Sequence, residues 1–64
     1  MKIRYDKETD IIYILFSETK IAASEEERQG IIFDYDANGG IVGIEVLNAS
    51  TKMDQTNSVI YEVA

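Results

Sequence analysis

Apolar and polar residues alternate along most of the chain, with the period of two residues that is typical of strands with one buried face. The alternating stretches are rich in Ile, Val, Tyr and Phe, which fit a pleated sheet. Polar stretches of hairpin-loop length separate them. The pattern predicts an all-β domain, largely an antiparallel meander of five to six strands, drawn from Lys2–Asp6, Ile11–Ser17, Ile21–Glu27, Gly30–Asp36, Ile41–Leu47 and Ser58–Val63.

Two hairpin registers agree with this alternation. If Asp6 lies opposite Ile11 and Asp36 lies opposite Ile41, one face of both hairpins is strongly apolar. A shift of one residue would mix polar and apolar side chains on each face, so we expect these registers. The residues predicted on this first face are Ile3, Tyr5, Ile12, Ile14, Phe16, Ile31, Phe33, Tyr35, Val42, Ile44 and Val46.

The reverse face, called the second face below, also carries many apolar side chains. A sheet that is apolar on both sides needs a cover on both sides. Either the sheet curls and the chain's own tail covers the second face, or a subunit or partner does. Because the chain is short, we expect an interface in a homodimer or higher oligomer, formed by Ile11, Tyr13, Leu15, Ile32, Ile41 and Leu47.

Helix is predicted only between Ser50 and Gln55. Thr51 is a candidate N-cap there, with Asp54 three residues later as in a weak capping box. We therefore expect one short helical turn near the C-terminus, before the sixth candidate strand.

The chain has 64 residues, which predicts a single domain over residues 1–64. A domain of this size buries only about 60% of its unfolded surface and usually needs additional support. The sequence contains no cysteine and no histidine, which excludes disulfides and Cys/His zinc sites. Oligomerisation or a partner chain is therefore the expected source of additional stability.

The formal net charge is −6, from 12 acidic and 6 basic residues. This balance argues against direct binding to nucleic acid or to anionic membranes, and it permits a basic protein partner. No apolar run approaches the length of a membrane span, and no signal-peptide pattern opens the sequence. We expect a cytoplasmic protein that binds no cofactor.

Residues 34–45 read D-Y-D-A-N-G-G-I-V-G-I-E and match the EF-hand calcium-loop pattern. The candidate ligands are Asp34, Asp36, Asn38 and Glu45. However, the flanking residues alternate as strands do, whereas an EF-hand loop joins two helices. Asp and Asn bond to nearby backbone in turns, and Gly39 and Gly40 supply positive φ. We therefore expect a hairpin loop with at most a weak cation contact.

Asp34 and Glu45 are predicted to be diagonal neighbours on the second face, roughly 7 Å apart. Paired carboxylates can perform acid–base chemistry or hold magnesium, but two solvated strand charges are the expected interpretation. Without histidine or cysteine, Ser-His and Cys-His nucleophile pairs are impossible. The sequence thus predicts a protein that is not an enzyme.

Three stretches resemble a known family: M-K-I-R-Y-D-K-E-T-D-I-I-Y-I at the start, S-E-E-E from Ser24, and G-I-I-F-D-Y-D-A-N-G-G-I-V-G-I-E-V-L-N-A-S from Gly30. Together they resemble the small prokaryotic and phage proteins of the domain of unknown function 2283 family, over about residues 1–50. The tail from Thr51 onward matches no family. The resemblance implies a compact β-rich protein without established catalytic residues, and some family members are thought to be antitoxins encoded beside small toxins.

The leading hypothesis is a non-enzymatic protein-binding module, and its candidate role is that of a type II antitoxin that masks a small basic toxin. One alternative is a carboxylate-based metal-binding or hydrolytic protein that uses Asp34, Asp36 and Glu45. Another is a structural homo-oligomer without a separate partner.

Overall fold

Five antiparallel strands form a single sheet, and one short helix follows them. The computed structural model describes all residues from 1 to 64. The elements are β1 (Lys2–Asp6), β2 (Ile11–Leu15), β3 (Ala23–Arg28), β4 (Ile31–Tyr35), β5 (Ile41–Leu47) and α1 (Ala49–Lys52). The predicted all-β class and the single helical turn near the C-terminus are confirmed.

The strands lie in the order β1-β2-β5-β4-β3. Hairpins join β1 to β2, β3 to β4 and β4 to β5, as in a meander. The connection from β2 to β3, residues 16–22, instead crosses the end of the sheet to the opposite edge. The backbone N–H groups of Phe16 and Ser17 donate to the carbonyl of Val42, and the N–H of Ala22 donates to the carbonyl of Tyr35. Because β1 and β3 are the outermost strands of the sheet, each has one edge without a neighbouring strand.

The predicted hairpin registers are correct except beside one turn. Asp6 lies opposite Ile11 as expected. In the later hairpin Phe33 lies opposite Ile44, also as expected, but a bulge follows and Ile41 lies opposite Tyr35 rather than Asp36. Directly opposed residues point to the same side of a sheet. Ile41 therefore belongs with Tyr35 on the first face, and its predicted place on the second face is wrong.

The turn chemistry explains the bulge. The N–H of Asp36 donates to the carbonyl of Gly40 over 2.9 Å, which closes the hairpin around residues 37–39. Gly39 has φ +82°. A three-residue loop that ends in a left-handed residue is a common hairpin connection, and it displaces the pairing by one residue.

A Gly39→Val variant is expected to be destabilised by roughly 1 kcal/mol or more, because a β-branched residue resists positive φ. The space around Gly39 is open, with no atom within 4 Å of an added Cβ, so backbone strain would be the only cost. Gly39→Asn is the matched control, since Asn tolerates this conformation. Urea denaturation of both variants measures the effect, and equal midpoints for wild type and Gly39→Val would contradict it.

The core lies on the first face under α1. Ile12, Val46 and Ala49 form a buried cluster, and Tyr5, Ile14, Ile44 and Met53 pack against it. Ile12 and Val46 lie opposite each other on β2 and β5, and Ala49 brings the helix onto them. The cluster is small, since only 7 of 64 residues are buried. The stability of the fold therefore depends on few side chains.

Asp10 attaches α1 to the first hairpin. Its carboxylate accepts hydrogen bonds from the Ser50 N–H (3.0 Å), the Ser50 hydroxyl (2.6 Å) and the Tyr5 hydroxyl (2.8 Å). The hydrogen bonds from Ser50 and Tyr5 lower the pKa of Asp10. The helix begins at Ala49 after a left-handed Asn48, so Thr51 is not its N-cap, and the Thr51 hydroxyl donates to the Asn48 carbonyl instead. At four residues, α1 is too short to cross a membrane, and no other helix is present.

The predicted sixth strand is not formed. Residues 58–64 have no regular structure and are exposed. Met53 still packs against the core cluster, and Thr56 lies beside the Tyr5 hydroxyl, so the tail leaves the domain next to β1.

Candidate functional site

The second face is centred on a buried carboxylate. Asp34 on β4 is only 2% exposed. Its Oδ2 accepts a hydrogen bond from the Tyr13 hydroxyl over 3.1 Å, and its Oδ1 accepts one from the Ser24 hydroxyl over 2.5 Å. Ser24 lies directly opposite Asp34 on β3, whereas Tyr13 lies on β2, beyond β5. Three strands thus contribute to one hydrogen-bonded cluster, which we call the Asp34 cluster.

Gly43 allows this cluster to form. It lies on β5 opposite Asp34, between the tyrosine and the carboxylate. A Cβ added at Gly43 would lie 2.9 Å from the Tyr13 hydroxyl oxygen and 2.8 Å from the carbonyl of Ile14. Glycine at this position lets the tyrosine ring lie across β5 and reach the next strand.

Glu45 adds a second acidic group to the face. It lies opposite Tyr13 on one side and Ile32 on the other, which makes it the diagonal neighbour of Asp34 that the register predicted. Burial raises the pKa of Glu45, and the neighbouring Asp34 charge raises it further. Burial also raises the pKa of Tyr13, as does its hydrogen bond to Asp34. The second face therefore carries acidic side chains that are partly removed from water.

The raised pKa of Glu45 predicts how this residue affects the stability of the fold at different pH values. A carboxyl group whose pKa is raised by folding stabilises the fold in acid, and this contribution is lost as pH rises from the ordinary value of 4.5 through the folded value. Glu45→Gln is therefore expected to be more stable than wild type at neutral pH, with a smaller difference near pH 4. Thermal unfolding at several pH values measures this, with Glu8→Gln in the exposed β1–β2 turn as the control. A Glu45→Gln variant that is less stable at neutral pH would contradict the prediction.

Apolar side chains surround the Asp34 cluster. Five of the six residues predicted for this surface are half-buried and share the second face: Ile11, Tyr13, Leu15, Ile32 and Leu47. The only helix lies on the opposite side of the sheet, against Ile12 and Val46. A shallow depression on the second face is lined by Arg4, Asp6, Thr9, Ile11 and Tyr13. No helix or strand of the chain covers this surface.

The loop that matches the EF-hand pattern is a hairpin turn between β4 and β5. The Oδ1 atom of Asp36 accepts hydrogen bonds from the N–H groups of Asn38 and Gly40, both over 2.8 Å. Asp34 instead bonds to Tyr13 and Ser24, and Glu45 lies along β5. No group of three or more acidic residues lies close enough together to hold a metal ion. The four candidate ligands are therefore divided between a turn and the second face.

The sequence pointed to most of this surface but not to its polar centre. Tyr13, Asp34 and Glu45 were each candidates, whereas Ser24 and Gly43 were not. The pairing of β2 with β5 brings Tyr13 to Asp34 and decides their contact. The only signal in the sequence is that a tyrosine, a glycine and an aspartate all fall on the same face of their strands.

The fold and this face define a class: a small single-sheet β-protein with one short helix on one side and an uncovered apolar surface around a buried carboxylate on the other. Within that class, residues 2–50 match the model of a family described as protein of unknown function (DUF2283), and the chain belongs to this family. The predicted resemblance over about residues 1–50 is confirmed. The match ends within α1, so the tail lies outside it.

One relative is an uncharacterized protein of Methanocaldococcus jannaschii, which is 40% identical over 50 residues. The alignment covers 78% of this chain and 42% of the relative, so the chain spans less than half of that protein's length. No solved structure matches the chain.

Proposed function

We propose that the protein is a non-enzymatic binding module whose second face binds a small basic protein in the cytoplasm, in the manner of an antitoxin. The observation that carries this proposal is the uncovered apolar surface of Ile11, Tyr13, Leu15, Ile32 and Leu47 around the Asp34 cluster. A sheet face of this composition is stable when another layer packs on it.

The Asp34 cluster suits such a surface. The Asp34 carboxylate already accepts bonds from Tyr13 and Ser24, so a partner that excludes water would not leave this group without donors. Tyr13 presents an aromatic ring at the centre, and tyrosine is enriched among the residues that dominate binding energy at interfaces.

Charge supports a basic partner. The chain carries a net charge of −6, and Glu45 lies on the second face next to Asp34. A cationic side chain placed over Glu45 would offset the repulsion and desolvation that raise its pKa. Long-range attraction of this kind mainly accelerates association and weakens with added salt. The proposal of an antitoxin role rests on the resemblance to this family, some members of which are thought to be antitoxins.

The test combines the purified chain with the products of the genes that flank its own gene, among which a small basic protein is the expected partner. Calorimetry is expected to show binding that Leu15→Arg weakens by roughly tenfold or more, because the substitution removes an apolar contact and adds repulsion. Gln29→Arg adds the same charge in the exposed β3–β4 turn and is the matched control. Thermal unfolding of both variants verifies that they fold.

Co-expression gives the biological readout. Wild type and Gln29→Arg should relieve growth arrest caused by the basic protein, whereas Leu15→Arg should not. If Leu15→Arg binds and protects as well as wild type, the second face is not the binding surface. If wild type neither binds nor protects, the antitoxin role is wrong.

A further inference from the structure

The tail contains a segment with the composition of a strand and no partner in its own chain. Residues 58–63 read S-V-I-Y-E-V, with β-branched and aromatic residues that favour strands. Their apolar side chains are among the most exposed in the protein, at 64% for Val59, 84% for Ile60, 75% for Tyr61 and 81% for Val63. Single exposed apolar residues are common, but four within five positions indicate a binding segment.

The two open edges of the sheet differ in what they can accept. The β3 edge carries Glu25, Glu26 and Glu27, and a bulge between Glu26 and Arg28 interrupts its register. Charges and bulges of this kind protect an edge from pairing with another strand. The β1 edge pairs in regular register over all five residues and carries Lys2 and Arg4. Both edges carry charged residues, but only β3 has an interrupted register, so β1 is the edge that can accept an added strand, provided that the charge of that strand complements Lys2 and Arg4.

The side chains of the tail and of β1 match on both faces. Val59, Tyr61 and Val63 fall on one side of an extended strand, and Ile60 and Glu62 fall on the other. On β1, Ile3 lies opposite Ile14 on the first face, and Lys2 and Arg4 lie on the second. When Val59, Tyr61 and Val63 extend the apolar first face, Glu62 lies beside the two basic residues. The reverse arrangement would place Glu62 beside Ile3 and Tyr5. The arrangement with Glu62 beside Lys2 and Arg4 is therefore favoured.

We propose that residues 58–63 of one copy of this chain add as an antiparallel sixth strand to β1 of a second copy, and that the exchange is reciprocal. Among the registers that keep these faces, the one that pairs residues 58–62 with all five residues of β1 places Tyr61 opposite Ile3 of the second copy. Glu62 then lies opposite its Lys2 and diagonal to its Arg4. Adding a strand to an exposed sheet edge is a recurring mode of peptide recognition. A two-fold dimer of this kind satisfies the backbone of both β1 edges and both tails at once.

Cross-linking tests the pairing directly, because the chain has no cysteine of its own. Ile3→Cys and Tyr61→Cys are made as separate full-length variants, mixed, and oxidised. Residues directly opposed on neighbouring strands have Cβ atoms about 4.5–5.5 Å apart, close to the spacing of a disulfide. The expected product is a mixed dimer of one copy of each variant. Glu25→Cys on the β3 edge is the matched control, and it should form little mixed dimer with Tyr61→Cys.

Two results would overturn the proposal. One is preferential cross-linking of Tyr61→Cys to Glu25→Cys. The other is a disulfide formed within a single chain by the Ile3→Cys/Tyr61→Cys double variant at low protein concentration, which would mean that the tail pairs with its own β1.

Charge reversal provides a second test. Sedimentation velocity over a range of concentrations measures the dimer dissociation constant of each variant. Lys2→Glu or Glu62→Lys alone should raise the dimer dissociation constant by roughly tenfold, since each dimer contains two such pairs. The Lys2→Glu/Glu62→Lys double variant should restore the wild-type value. A wild-type monomer across the micromolar range, or a double variant no better than the single ones, would refute the pairing.

Discussion

Replacing Ile12 with alanine is expected to lower the free energy of unfolding by about 2–5 kcal/mol, because the change leaves a cavity in the small buried cluster that holds the sheet and the helix together. Ile12 is 6% exposed and belongs to a cluster with Val46 and Ala49. The cavity would lie between β2 and α1, where no other helix or strand can fill it. A chain of 64 residues has a total stability of roughly 3–10 kcal/mol. The substitution therefore removes a large part of what holds the domain together.

Ile41→Ala is the matched control for this prediction. It makes the same chemical change on the same face, but Ile41 is 45% exposed at the start of β5. We expect a loss below about 1 kcal/mol for Ile41, since its side chain is already partly in water. Urea unfolding followed by circular dichroism measures both variants. Equal losses for the two would show that the core is not centred on Ile12.

Replacing Tyr13 with phenylalanine is expected to cost about 1–3 kcal/mol, because it leaves one oxygen of a buried carboxylate without its donor. The Tyr13 hydroxyl is the donor to Oδ2 of Asp34, and Ser24 serves the other oxygen. Adding Ser24→Ala should increase the loss. Tyr61→Phe, which removes a hydroxyl that is in solvent, is the control and should be close to neutral.

A triple variant separates the hydrogen bond from a general loss of packing. Tyr13→Phe, Ser24→Ala and Asp34→Val together replace all three polar members of the Asp34 cluster with apolar groups of similar size. Such a replacement can be nearly neutral, because no polar group is left buried and unpaired. Recovery of most of the lost stability in the triple variant supports the hydrogen-bonding account. A triple variant less stable than the Tyr13→Phe/Ser24→Ala double variant would contradict it.

These two predictions differ in how far they could be made from the sequence. Ile12 was predicted on the apolar first face, because alternation places every second residue of a strand on the same side. The bond between Tyr13 and Asp34 was not predicted. It joins residues 21 positions apart, and it requires β5 to lie between their strands with Gly43 at the crossing point. This hydrogen bond depends on the order of the strands in the sheet, which the alternation of apolar and polar residues does not predict.

The contact between Asp10 and Ser50 was not predicted from the sequence either. In the sequence it is the last residue of a polar turn, and its partner Ser50 is 40 positions away. The helix was expected to begin with a cap from its own segment, at Thr51. Instead, the N–H and hydroxyl of Ser50 donate hydrogen bonds to Asp10 of the first hairpin, which only tertiary packing brings next to α1.

By itself, the sequence determined the approximate positions of the five strands that form, the face of nearly every residue in them and the register of both predicted hairpins away from the β4–β5 turn, because these follow from short-range alternation and turn composition. The tertiary structure alone decided that β2 pairs with β5, that a bulge turns Ile41 to the first face, and that Tyr13 reaches Asp34. It also decided that residues 58–63 form no strand within one chain. The physical reason is that alternation is a property of one segment, whereas a strand needs hydrogen bonds from a second segment placed beside it.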